Sequence, residues 1–146
     1  MAAMTDYLEN KLIDFLFRAQ TFVPPATLYI ALFTVSPTDA SGGTEVTGGN
    51  YARVPITNAL ANWAGTQGAA TTAVSSGTSG LTSNNGAITF GVPSAAWGSV
   101  VSVAIMDASS AGNMWFEGAL TAPKTVNNGD PAPVFNAATM TLTIDN

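Results

Sequence analysis

The apolar and polar positions along the chain fall into one helical stretch followed by a series of short β-type stretches. Between Asp6 and Gln20, residues Leu8, Leu12, Phe15, Leu16 and Ala19 recur at helical intervals and make one apolar face. The spacing predicts a helix over residues 5–20. Thr5 or Asp6 opens it, Glu9 stands three residues after Asp6 in capping-box spacing, and Pro24-Pro25 lie beyond its end. Ile13 and Phe17 fall outside the apolar stripe, and a helix apolar on more than one side is buried on more than one side. The helix is therefore expected to serve subunit contact as well as the core. Leu12, Ile13 and Phe17, joined by Phe22 and Trp63, are the candidate interface residues.

The rest of the chain reads as β structure. Thr27 to Thr34 is apolar on both faces and suits a central strand. Tyr51 to Thr57 is a second strand, and Pro55 within it argues for an edge or a bulge. The stretch from Trp97 to Leu120 reads as a buried hairpin: the run Val100 to Met106, a small polar turn through Ser109-Ser110-Ala111-Gly112-Asn113, and a return at Met114-Trp115-Phe116. A turn centred near Ser110-Ala111 sets Asp107 opposite Met114 and Glu117 opposite Ala104. Ala87 to Val92 is a short strand with Ile88 and Phe90 on one side. Thr139 to Asp145 alternates, with Met140, Leu142 and Ile144 expected inward. Residues 64–86 have little to bury and many turn residues, so a long loop is expected there, ordered only in an assembly. Short strands at this spacing behind one helix predict a mainly β fold, a jelly-roll-like antiparallel β-sandwich with one N-terminal α-helix, in a single domain over residues 1–146.

Composition narrows the function classes. At 146 residues the chain can bury roughly 70% of its unfolded surface, so it needs no covalent staples. It has no cysteine and no histidine, which removes disulfides, thiolate chemistry, the commonest general base and the commonest metal ligand. Charged residues are 9% of the chain, against about 25% in an average soluble domain. The cations are Lys11, Arg18, Arg53 and Lys124, too few and too scattered for a nucleic-acid-binding patch. No apolar run approaches the roughly 20 residues that span a bilayer, and MAAMTDYLEN does not read as a secretory leader. The surface must be built from Thr, Ser, Asn, Gly and Ala. Such a surface suits permanent contact with other subunits, and equally suits an ordinary β protein with few charges.

Candidate chemistry is sparse. Asp107 and Glu117, on the two arms of the hairpin, could form a glycosidase pair, but the predicted register offsets them by about three residues, some 10 Å at strand rise. Asn127, Asn128 and Asp130 offer oxygens around a turn without the acid spacing of a calcium loop, and an Asn-Gly turn explains them. No catalytic residues, metal, cofactor or small-molecule substrate are expected, and no enzyme activity.

Several segments, in order, resemble a family of tailed-phage virion proteins: Asp6 to Asp14, Leu28 to Thr34, Tyr51 to Val54, Asn62 to Gly65, Ala87 to Phe90, Trp97-Gly98 and Asn127 to Asp130. The similarity is to capsid cement, or head decoration, proteins of the Bordetella short-tailed-phage type, some relatives of which are labelled tail-fibre-like. The resemblance implies a jelly-roll-like fold and homodimers on the outer surface of the head. There they would bridge neighbouring copies of the major capsid protein and stabilise the shell, with neither nucleic acid nor membrane as partner. The alternative it carries is a phage tail-fibre or receptor-binding module, for which Trp63 and Trp97 are the exposed-aromatic candidates, although a core role suits both.

Overall fold

The computed structural model describes residues 3–144. It is mainly β and antiparallel, with a single helix near its start among the described residues. In chain order the elements are β1 (Ala3–Met4), α1 (Asp6–Phe17), β2 (Thr27–Val35), β3 (Thr44–Glu45), β4 (Val54–Thr57), β5 (Leu81–Ser83), β6 (Ile88–Thr89), β7 (Gly98–Met106), β8 (Met114–Val126), β9 (Val134–Phe135) and β10 (Thr141–Thr143). A six-stranded sheet runs β1-β8-β7-β2-β3, with β4 also paired to β2. Two two-stranded ribbons, β10-β5 and β6-β9, complete the strands.

The two near-continuous apolar runs form the middle of this sheet. In β2 and β7, Ile30 pairs with Ile105 and Leu32 with Val103. Paired residues share a face, and alternate residues point to opposite faces. Leu28, Ile30, Leu32, Val103 and Ile105 therefore point one way. They pack in one cluster with Ile88, Phe90, Phe135, Met140 and Leu142 from the ribbons and their flanks. This is the sandwich layer. Tyr51, Phe90 and Trp97 stack within it, the Tyr51 ring 5.4 Å from that of Trp97 and edge-on to it. Residues of the other parity, Ala31, Phe33, Ala104 and Met106, form a second, smaller cluster on the opposite face. Edge strand β4 carries Pro55 opposite Tyr29, where the missing N–H interrupts no inner ladder.

Register in the β7-β8 hairpin has two irregularities. Ala104 pairs with Glu117, as the sequence predicts, but Met106 pairs with Met114 and the Asp107 N–H donates to the Asn113 carbonyl. The shift between Ile105 and Met106 moves Asp107 one residue from its expected partner. Further along, Val100 pairs with Lys124 and Ser102 with Ala119, so β8 takes five steps where β7 takes two. The surplus of three residues lies around Thr121-Ala122-Pro123 as a bulge in β8.

Several expectations are corrected. The helix ends at Phe17, not near Gln20: Ala19 adopts a left-handed φ of 53°, and the Gln20 N–H turns back to the Asp14 carbonyl. No capping box forms. Thr5 is the N-cap residue, yet its hydroxyl donates to the Met114 and Trp115 carbonyls on β8, anchoring the helix to the sheet. Phe15 and Leu16 are 50% and 64% exposed, so the core face of the helix stops after Leu12. Strand β4 begins at Val54 and not Tyr51, because Tyr51 turns its hydroxyl to the backbone of β2. Ile144 is exposed, since β10 ends at Thr143; Asp145 lies outside the described residues.

The stretch 64–86 contains strand β5 and a web of local side-chain bonds. Thr71 Oγ1 accepts from the Gly65 N–H at 2.8 Å, and Gln67 Nε2 donates to the Val74 carbonyl at 2.7 Å. Its end is fixed by Asn84, which is 1% exposed. The Asn84 amide donates to the Gly86 and Asn136 carbonyls at 2.7 and 2.8 Å, and its Oδ1 accepts from the Met140 N–H at 2.9 Å. One side chain thus ties the start of β6 to the approach to β10.

Candidate functional site

The carboxylates singled out by sequence have structural surroundings. Asp107 accepts from the Asn113 N–H at 2.7 Å through Oδ1 and from the Asn113 side-chain amide at 2.8 Å through Oδ2, which closes the hairpin turn. Glu117 lies opposite Ala104 on the sheet's second face, with Ala3 on its other side. Burial pushes its carboxyl above the usual carboxylate range, and the negative charge of Asp39 adds to the shift. Asp39 arrives on the loop after β2, where its carbonyl accepts the Asp6 N–H at 3.3 Å. Asp130 accepts from the Asn127 N–H at 2.7 Å, and Gly129 takes a φ of 78°, the turn expected of these residues.

Sequence reasoning missed a buried clamp at Arg53. Its side chain is 7% exposed and grips Glu45 with two bonds, Nε to Oε1 at 2.8 Å and Nη2 to Oε2 at 2.7 Å. Its Nη1 donates to the Ala108 and Ala111 carbonyls at 2.7 and 2.8 Å. The Tyr51 hydroxyl donates to Glu45 Oε1 and accepts the Leu32 N–H, both at 2.9 Å. Burial raises the Tyr51 pKa, and bonding to Glu45 raises that of Arg53. One guanidinium therefore joins β3, β4 and the β7-β8 turn. It borders a cavity of about 460 Å³ between the second sheet face and the 39–43 loop, to which Tyr7, Phe33 and Met114 also contribute. The eight-residue separation of Glu45 and Arg53, through a glycine-rich loop, carries no periodic signal.

The free end of α1 is an exposed apolar feature. Leu8 is buried and Leu12 half-buried against the main core, while Ile13, Leu16 and Phe17 are 51%, 64% and 80% exposed. With Phe15 also half exposed, the last turn and a half is apolar around most of its circumference. Asp14 and Arg18, paired at 2.7 Å, form its polar flank. Phe22 lies at the base, its ring 5.4 Å from that of Trp115. Of the candidate interface residues, Leu12 and Phe22 pack partly buried against the main core, whereas Ile13 and Phe17 are exposed on α1. Trp63 is apart from them: it is half-buried against the core and bridged to Asn84. Trp97 is buried, with Nε1 donating to the Gly49 carbonyl at 2.9 Å.

A second apolar feature lies toward the far end of β8. Val100, Leu120, Val126, Pro133, Val134 and Phe135 line a groove of about 430 Å³, rimmed by Lys124 and Asp130. Val134 is 48% exposed at its mouth. Isolated apolar side chains are common on a protein surface, but contiguous ones such as these are not.

The family model described as podophage GP4 fiber I protein gp80 matches the chain over residues 3–143. No curated protein matches the sequence.

Proposed function

The chain belongs to the podophage GP4 fiber I protein gp80 family, a family of phage structural proteins, and on that premise we propose that it is a subunit of a virion fibre. The observation that carries this reading is the match of the fibre-protein model along almost the whole chain. The exposed end of α1 supports it, because a repeated subunit must offer an apolar surface that the isolated chain leaves uncovered. The work of such a protein is contact, not chemistry. Copies held in an array meet their neighbours at high effective concentration, so contacts of modest individual strength become lasting. With 9% charged residues, and with Arg53 used inside the fold, few ion pairs are left to make those contacts sensitive to salt.

The second reading is head decoration. Homodimers on the outer surface of the shell would bridge neighbouring major capsid proteins and cement them. What favours it is the ordered run of segments from Asp6 to Asp130 that resembles head decoration proteins. The two readings differ in copy number. Quantitative mass spectrometry of purified particles should find this chain far below the major capsid protein in abundance if it builds a fibre. Abundance comparable to the capsid protein would overturn the fibre reading in favour of the head, and absence from the particle would overturn both.

A further inference from the structure

We propose that the free end of α1 docks into the β8-β9 groove of a second copy of this chain, joining copies head to tail. The inference rests on the reading of the chain as a repeated structural subunit. One surface projects and the other is concave. The knob, Ile13, Leu16 and Phe17, is exposed on several sides, so a flat partner would leave part of it in water. The groove is concave and apolar, and its volume is about 430 Å³. An apolar cavity on the order of 150 Å³ already accepts a benzene ring. There is room for the Phe17 ring together with its neighbours.

The rims match in charge. Asp14 and Arg18 flank the knob, and Lys124 and Asp130 flank the groove. Each rim carries one acid and one base, and docking that set Asp14 against Lys124 and Arg18 against Asp130 would exchange the exposed Asp14–Arg18 pair for two pairs across the contact. Neither surface presents a block of like charge to repel the other.

The start of α1 and the groove lie toward different ends of β8. Thr5, at the start of α1, is bonded to Met114 and Trp115 at the beginning of β8, whereas the groove is lined by Leu120 and Val126 toward its end. At strand rise, the path from Trp115 to Val126 is on the order of 30 Å. A contact between two different patches is heterologous, and repetition gives either a closed ring or an extended filament. A two-fold pairing of helix on helix would instead use the knob twice and leave the groove empty.

The absence of cysteine makes the test clean. Purified full-length chain carrying both F17C and V134C should form a ladder of disulfide-linked species under mild oxidation. A mixture of the F17C and V134C single variants should stop at the linked dimer. F17C with L60C serves as the control, and should not link. Self-linking of F17C alone would overturn the proposal in favour of the two-fold helix pair. Failure of F17C and V134C to link above the control would overturn docking between copies. Sedimentation gives a second readout: F17D and V134D should each abolish self-association, and a V134D variant that associates as the parent does would exclude the groove. Protein present on the particle but unlinked in this test overturns the docking alone. A ladder from protein absent from the particle overturns the fibre reading and leaves the docking standing.

Discussion

Replacing Arg53 by alanine tests how much of the fold depends on its largely buried guanidinium. Four bonds are lost, two to Glu45 and one each to the Ala108 and Ala111 carbonyls, with lengths between 2.7 and 2.8 Å. Removing one partner of a buried ion pair costs about 3–5 kcal/mol, because the other charge is left without its counterion. Glu45 keeps the Tyr51 hydroxyl, and its side chain is 25% exposed, so the low end applies: about 3 kcal/mol. For a chain of this size that lowers Tm by about 6–12 °C. R53K keeps the charge but loses the planar fork and should cost about half as much. Urea unfolding followed by tryptophan fluorescence measures both. With E45Q it completes a double-mutant cycle whose coupling should exceed 1 kcal/mol in order of magnitude. The reasoning fails if R53A costs less than about 1 kcal/mol, the range of an exposed pair. It fails equally if about 1 M salt removes most of the difference, since screening acts on exposed charges and little on buried ones.

Other consequences follow from the same structure. Burial and the Asp39 charge raise the Glu117 pKa, so the folded state holds that proton more tightly than the unfolded chain does. Its stabilising effect is complete at acid pH and lost as pH rises through the raised value; E117Q should therefore be the more stable protein at pH 7, with the gap closing toward pH 4, and parallel stability–pH profiles would contradict this. Asn84→Ala takes the side-chain partner from the Gly86 carbonyl and the Met140 N–H, while the Asn136 carbonyl keeps the Thr139 N–H and hydroxyl; it should cost about 2 kcal/mol in the same urea assay, an effect well under ~1 kcal/mol counting against its role as the tie between ribbons. Particles washed in about 1 M salt, where the Debye length is roughly 3 Å, should keep this protein, and release by salt alone would show that exposed ion pairs hold it.

How much could be read from sequence follows from what makes each element. Thr27 to Thr34 and Val100 to Met106 were legible because strands buried on both faces need continuous apolar runs, and such runs have few other uses in a chain of this length. The edge position of β4 was legible in Pro55, and the pairing of Glu117 with Ala104 followed from the turn. The bulge that moves Asp107 was not, since a shift of one residue changes no composition. The helix end was misplaced for a physical reason: apolar periodicity continues through Phe15, Leu16 and Ala19, but past Leu12 these side chains are exposed and bury little that would hold the helix on. Phe15 and Leu16, read as part of the core face, are exposed beside Ile13 and Phe17, the two residues outside that stripe that were expected at a subunit contact. Periodicity reports that a face is apolar and is silent on what covers it. Arg53–Glu45 was invisible because an eight-residue separation through a glycine-rich loop carries no periodic signal, and Asn84 because its partners Asn136 and Met140 are distant in sequence.

The most direct test of the account is where this protein sits on the particle. Gold-labelled antibody against the chain, viewed on intact purified virions by electron microscopy, should decorate projecting fibres and leave the shell of the head bare. Label spread evenly over the head would contradict the fibre assignment and assign the chain to the capsid surface, and particles with no label, from a preparation in which the antibody recognises the purified protein, would contradict a place in the virion altogether.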